Sequence, residues 1–311
     1  MRSDPLVSVV VPTYHRESML SEAVQSVIEQ TYPHVEIIVV DDASPVPASE
    51  ALVDTDDSVR ILRHDENQGA NAARNTGIRA ARGDILAFLD DDDRWAPTKL
   101  ERQVTAFNTG HPRPGVVLVG QQFVDAGGST IKRKLPAVDG TATEQLFAGT
   151  VAGPFSTMAV RRNLIDQAGL PDEKLPNLQD REWLLRLSQY APFHSIRSPL
   201  VYRRMGDHDQ IGDQFVERRD VTYQRMLMKH QETAAQFGLA GSFEASLALS
   251  VAAAALQNGA YNEARRFAYH ALRSDPTAHR AYVYILAAIG GGFTYRPARS
   301  IKRHLTRLTP R

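Results

Sequence analysis

Six carboxylates in two short runs carry the strongest chemistry in this sequence. Asp41 and Asp42 follow the apolar run 35–40 (VEIIVV), and Asp90, Asp91, Asp92 and Asp93 follow 84–89 (DILAFL). Four consecutive carboxylates repel one another, so a protein tolerates them at the end of a buried segment only where a cation, hydrogen-bond donors or water offset the charge. In an extended segment alternate side chains share a side about 6.5 to 7 Å apart, which turns Asp90 and Asp92 toward one ligand and Asp91 and Asp93 elsewhere. Such hard oxygen ligands suit Mg2+ or Mn2+, ions held by one or two protein carboxylates plus substrate phosphates. The plainer alternative is a solvated acidic loop leading into a helix that begins near Pro97. The buried run just before the carboxylates favours the metal.

The surrounding pattern predicts how these groups are held. Residues 6–11 (LVSVVV) read as a strand ending at Pro12, and Met19, Leu20, Ala23, Val24, Val27 and Ile28 line one face of a helix over 17–30. Further strands are expected at 35–40, 59–63 (VRILR) and 84–89, with an alanine-rich helix over 70–82 that Gly83 stops. Uninterrupted apolar runs suit strands buried on both faces of a parallel sheet. The β-α alternation argues for a doubly wound α/β domain, whose ligands bind beyond the carboxyl ends of the strands. Both acidic runs sit at such ends. Residues 115–132 read as a hairpin around Gly127-Gly128 grafted onto that sheet, followed by a helix near 180–190 (Trp183, Leu184, Leu187) and a strand near 199–203.

Beyond about residue 213 no strand pattern recurs, and helices are expected at roughly 213–236, 243–257, 261–273 and 277–289. The expected division is therefore 1–210, catalytic and ligand-binding, and 211–311, helical. Asn258, Gly259, Tyr261, Ala264, Tyr269, Ala271, Leu272 and Pro276 resemble the second half of a tetratricopeptide repeat, and one copy needs a neighbour to pack on.

Composition narrows the class of protein. At 311 residues the chain exceeds one average domain, and 42% hydrophobic with 23% charged residues is globular. Lys plus Arg and Asp plus Glu are 36 each, so no overall field gathers nucleic acid, and no nucleic-acid partner is expected. The lack of cysteine excludes disulfides, thiolate metal sites and thiol nucleophiles. The first apolar run is too short and too strand-like for a signal peptide, and the alanine-rich stretch 247–256 is about half a bilayer span. A cytoplasmic protein is the expectation.

Four segments in order, VSVVVPTYHR at 7–16, VEIIVVDDAS at 35–44, NQGANAARNTGIRAARGDILAFLDDDDRW at 67–95 and LQDREWLLRL at 178–187, resemble the family 2 glycosyltransferases of the GT-A fold. The resemblance covers residues 6 to about 205. It implies a Rossmann-like mixed sheet and inverting glycosyl transfer (EC 2.4 type) from a nucleotide-diphosphate sugar, foremost a UDP-sugar, to a glycan, lipid-linked or small acceptor, as in polysaccharide biosynthesis. It also implies a divalent metal, Mn2+ or Mg2+. Residue by residue, Pro12, Tyr14 and Asp42 would line the base pocket, Asp42 accepting from an imide N–H. Arg74 would meet the diphosphate, Asn75 would face the nucleotide, and Asp90 the ribose. Asp92 would ligate the metal, with Asp93 behind it, and His208 would contact metal or phosphate. Asp180 would be the general base, with Glu182 as the reserve.

Each role has a structural alternative: Tyr14 as core, Asp42 as a turn cap, Arg74 and Asn75 as braces for the next strand, Asp180 as a helix cap. One departure from the family stands out. The usual Glu-Asp pair is Gln179-Asp180 here, which leaves Asp180 without an adjacent like charge to raise its pKa. The rival function is a degenerate scaffold whose carboxy-terminal helices bind a protein, against which Asp90, Asp92 and Asp180 are all intact. From Arg296 the tail holds six Lys or Arg and no acid, with Ile301, Leu305 and Leu308 at helical spacing. Reversible contact of 296–311 with the inner face of an anionic membrane and a solvated tail are both open readings, as is an oligomer.

Overall fold

The computed structural model describes residues 4–53, 58–125, 127–204 and 215–291. They divide into two compact units, one of 1–142, 151–173 and 180–206, the other of 143–150, 174–179 and 207–311.

In the first unit nine strands form one mixed sheet: β1 (Val7–Thr13), β2 (Val35–Asp41), β3 (Val59–Arg63), β4 (Ile85–Phe88), β5 (Asp93–Trp95), β6 (Val116–Val124), β7 (Thr130–Lys134), β8 (Met158–Arg161) and β9 (Phe193–Arg204). Their order is β3-β2-β1-β4-β8-β6-β9-β5, with β7 added on β6. The β3-β2-β1-β4 half is parallel, as the uninterrupted apolar runs predict, and every residue of β1 is buried. From β8 onward pairing is antiparallel except for β6 with β9, so the architecture is mixed rather than purely doubly wound.

The 115–132 segment forms the expected hairpin, β6 pairing antiparallel with β7 across the Gly127-Gly128 turn. What its pattern does not announce is that β6 is also a nine-residue interior strand between β8 and β9. β9 starts at Phe193, well before 199, because polar residues and Pro199 mask its pattern; the proline falls where the β6–β9 register shifts. β5 and β8 are three and four residues long, too short to show periodicity, and exist through their pairing.

Helices complete this unit: α1 (Glu17–Ile28), α2 (Ala48–Ala51), α3 (Ala70–Ala80) and α4 (Lys99–Thr109) come early in the chain. α5 (Thr143–Phe147) groups with the second unit, whereas α6 (Arg162–Ala168) and nearly all of α7 (Gln179–Leu187) group with the sheet. α3 ends at Ala80, short of Gly83, whose role is a close approach: a Cβ there would lie 2.6 Å from the Leu6 carbonyl oxygen. Trp183 of α7 is fully buried against Phe88 and Phe155, and its indole N–H donates to the Gly169 carbonyl.

The second unit holds α8 (Phe215–Glu217), a π turn over Arg218–Thr222, α9 (Tyr223–Gln236), α10 (Ala240–Gln257), α11 (Tyr261–Ser274) and α12 (Arg280–Ile289). The single helix expected over 213–236 thus runs through its described part, with a π turn set inside it. Phe147 from the earlier segment is fully buried among His230, Phe237 and Phe243, which explains why 143–150 belongs to this unit.

Gly77 lets α3 lie directly on β1, since a Cβ there would stand 2.4 Å from Val10 Cγ1. Gly77→Ala should therefore lower stability by ~1–3 kcal/mol in urea unfolding, the usual cost of overpacking. An unchanged midpoint would mean that α3 shifts freely on the sheet.

Candidate active site

The parallel strands deliver their carboxyl ends to one edge, where Thr13 of β1 pairs with Asp41 of β2 and Val10 pairs with Phe88 of β4. The loops leaving that edge bring the acidic runs together with basic partners. Thr13 Oγ1 donates to Asp91 Oδ2 at 2.8 Å, and Arg16 Nη1 donates to Asp91 Oδ1 at 2.9 Å while lying 3.2 Å from Asp92 Oδ2. Asp91, given no ligand role by the sequence, is the buried tie between the two loops; burial pushes its carboxyl up to about 6 against the pull of Arg16. His15 and Ala43, at the ends of two of these loops, hold φ of 54° and 63°, left-handed conformations that non-glycine residues adopt at a cost.

Residues 90–93 are not extended. Asp93 N–H donates to the Asp90 carbonyl at 3.0 Å, closing a turn that carries Asp93 back toward Asp90. The alternating arrangement expected from the sequence is corrected accordingly: Asp90, Asp92 and Asp93 converge, each offering a carboxylate oxygen within 4.8 Å of the others. Asp93 is 2% exposed, Arg203 of β9 reaches one of its oxygens at 3.3 Å, and the other is buried with no hydrogen-bond partner among the described residues. Burial, then the charges of Asp92 and Asp90, push its carboxyl up to about 8 against the pull of Arg203 and the Ser156 hydroxyl. An orphaned buried oxygen inside a convergent all-oxygen set fits a small hard dication, whose charge would replace the missing partner.

Around Asp42 the structure builds a loop. Its carboxylate, 2% exposed, accepts from Gln68 N–H at 2.9 Å, Gly69 N–H at 2.7 Å and lies 2.7 Å from His64 Nδ1. The other His64 nitrogen is 2.9 Å from Thr76 Oγ1 of α3. His64 was not singled out by the sequence; its only signal was its place just after β3. Neighbouring Asp41 is fully buried, and against the upward push of burial the bonds from Ser44, Ala48 and Arg63 hold its carboxyl below the ordinary range. Tyr14 is 47% exposed, so it is not core, and Pro12 is buried within β1.

Arg74 and Asn75 both meet groups of the chain itself, as their structural alternatives describe. Arg74 is 5% exposed, donates to Asp90 Oδ1 at 2.6 Å and to Asn71 Oδ1 at 2.9 Å, and lies 4.0 Å from the Phe155 ring centre. It positions Asp90. Asn75 donates to the Pro171 carbonyl and to Glu173 Oε1, bracing 171–173. The reason is length and burial: both sit mid-helix on the face packed into the unit.

Asp180 opens α7, half-buried, with Oδ1 accepting from Arg181 N–H at 2.7 Å. Burial raises its pKa, the Arg181 bond and the Arg74 charge pull it back, and Asp90 raises it further. The like charge missing at Gln179 is thus supplied from across the site. Glu182 does not fit the reserve role: it is fully buried and both oxygens accept from Arg186, at 2.9 and 2.8 Å. His208 lies outside the described residues.

A mixed sheet with an acidic turn at the end of its parallel half, followed by a helical region, is the GT-A glycosyltransferase architecture. The family described as Glycosyl transferase family 2 matches residues 8–169, just over half of the chain, and the chain belongs to that family. The chain is 29% identical over 208 residues to the "Putative teichuronic acid biosynthesis glycosyltransferase TuaG" of Bacillus subtilis, covering 65% of this chain and 79% of that one. It is 39% identical over 103 residues to the Escherichia coli "UDP-Glc:alpha-D-GlcNAc-diphosphoundecaprenol beta-1,3-glucosyltransferase WfgD", 33% of this chain and 41% of that one. The chain spans 36%, 67% and 79% of the lengths of three curated relatives. Among solved structures, S. aureus TarS 1–349 in complex with UDP-GlcNAc superposes with a TM-score of 0.61 at 17% identity, covering 91% of this chain and 89% of that one. The mannosyltransferase PcManGT of Pyrobaculum calidifontis with GDP-Man and Mn2+ superposes at 0.58 and 20% identity, covering 92% and 86%.

The acidic turn predicts a pH signature. Folding makes Asp91 and Asp93 hold protons that the unfolded chain loses above about pH 4. Their contribution is complete at low pH and declines as pH rises through about 6 for Asp91 and about 8 for Asp93. In chelator the melting temperature should therefore fall relative to Asp93→Asn between pH 5 and 8, and excess Mn2+ should remove the difference. Parallel wild-type and variant profiles would show that Asp93 is already ionised.

Proposed function

We propose that this chain transfers a glycosyl group, with inversion, from a nucleotide-diphosphate sugar to an acceptor hydroxyl, and that the donor is a UDP-sugar. The observation that carries the reading is the convergence of Asp90, Asp92 and Asp93 at the strand ends, close enough to Asp180 for Asp90 to bear on its pKa. Family membership and relatives named for UDP-Glc and bound to UDP-GlcNAc support the donor class. On this reading Tyr14 offers an exposed ring to the base. A carboxylate has about four acceptor positions, so Asp42, with three engaged, keeps one for an imide N–H. Asp90, steadied by Arg74, faces the ribose, and Asp92 with Asp93 holds Mn2+ or Mg2+. The ion, when bound, stabilises negative charge on the departing diphosphate.

The acceptor oxygen attacks the anomeric carbon as the bond from that carbon to the diphosphate oxygen breaks, and Asp180 takes the hydroxyl proton on the opposite face. Its half-buried place keeps the carboxylate poorly solvated and therefore more basic than a free one. A lipid-linked glycan is the acceptor we favour, since WfgD is named for a diphosphoundecaprenol acceptor. Intact carboxylates at all three places argue against a degenerate scaffold.

Nucleotide release from a panel of UDP-, GDP- and dTDP-sugars with Mn2+, with and without acceptor extract, tests the reading, and release from none of them would defeat it. Asp180→Asn should bind donor normally while turnover falls ~10²–10⁴-fold, the usual contribution of a general base. The acid limb of the wild-type rate should lie above the range of an ordinary carboxylate. A variant within a few-fold of wild type would move the proton acceptor elsewhere.

A further inference from the structure

The last described helix does not have the surface of a soluble bundle. α12 buries Ala281, Ile285 and Ala288, spaced as one helical stripe, in the helical unit. Across the helix Tyr282, Val283, Leu286 and Ile289 are 53%, 63%, 69% and 61% exposed. An amphipathic surface helix turns polar residues outward, and one that is apolar on both sides meets a second apolar medium or partner. Arg280, at its first position, is its one charged residue.

The flanking sequence distinguishes the media. In the sequence from Pro276 to Arg311 there is no Asp or Glu, while seven Lys or Arg occur, six of them from Arg296 onward, outside the described residues. The rest of the chain carries the compensating acid. An apolar stripe joined to an acid-free, basic segment is complementary to one surface in particular, an anionic bilayer, where aliphatic side chains enter the acyl boundary, tyrosine sits at headgroup level and cations meet lipid phosphates. A second copy of the same segment would set two groups of seven cations together with no carboxylate between them. A nucleic acid would answer the charge and leave the aliphatic stripe in water.

We propose that α12, through Val283, Leu286 and Ile289, docks the protein reversibly on anionic lipid, the surface that the acid-free, basic sequence following it selects. The inference rests on the helical unit alone and stands apart from the glycosyl-transfer reading, so its test needs no turnover. The full chain is sedimented with vesicles of phosphatidylcholine containing phosphatidylglycerol and with pure phosphatidylcholine vesicles, at low and physiological salt. The wild type should pellet with the anionic vesicles, and less as salt rises. Val283→Glu with Leu286→Glu, both at exposed positions, should weaken binding by about tenfold or more at an unchanged melting temperature. Lys302→Gln with Arg303→Gln and Arg307→Gln should weaken it and flatten the salt dependence. Wild-type protein that stays in the supernatant, or a double glutamate variant that pellets like wild type, overturns the proposal. Lipid-free dimers dissolved by the glutamates, without vesicle binding, would assign the face to self-association and overturn it equally.

Discussion

Mutual repulsion among the carboxylates of a single turn is the constraint that the sheet unit is arranged to meet. Asp90 to Asp93 leave a fully apolar strand and enter a short one, so water alone cannot screen them. The compensation comes from different parts of the chain. Arg16, after β1, takes Asp91 and Asp92; Arg74, from α3, takes Asp90; Arg203, from β9, takes one oxygen of Asp93. Thr13 and Ser156 add hydroxyls to the side chain of Asp91 and the backbone of Asp90. Compensation stops one partner short, at the second oxygen of Asp93, and that remainder is what a divalent cation would meet.

The same arrangement accounts for the energetics of neighbouring groups. Raised pKa values at Asp91, Asp93 and Asp180 share one leading cause, burial, and are sorted by the arginines that reach each carboxylate. A buried group whose partner is removed keeps the desolvation penalty, so each of these arginines matters more than a surface ion pair would. Close backbone packing makes the arrangement stiff: Gly77 seats α3 on β1, and the indole of Trp183 fastens the helix that begins beside Asp180.

The helical unit obeys other rules. Where α12 packs, its core is a cluster of small residues, Ala255, Ala264 and Ala288 with Leu256, which lets helices approach closely and leaves little room for larger side chains. The larger apolar side chains of α12 consequently lie outside that core, and no helix of the described residues is long and apolar enough to cross a membrane. An exposed stripe of this kind suits contact with a surface rather than passage through it.

The parallel half of the fold was legible because its strands are buried on both faces and so write unbroken apolar runs: β1, β2, β3 and β4 appear within a residue or two of their predicted bounds. Four ordered motifs likewise sufficed for the family, and the composition for the all-helical end. Partnership was not legible. Whether Arg74 meets a ligand or Asp90, whether Glu182 is free or clamped by Arg186, and that His64 stands between Asp42 and Thr76 are matters of which side chains arrive together from distant positions. The grouping of Asp93 with Asp90 was equally hidden, since it depends on a turn held in place by β5 pairing with β9, where the partner of Asp93, Arg203, lies 110 positions away. Periodicity in a sequence records which face of an element is buried. Only the folded chain decides which charge is buried beside which, because that follows from long-range pairing and not from any local pattern.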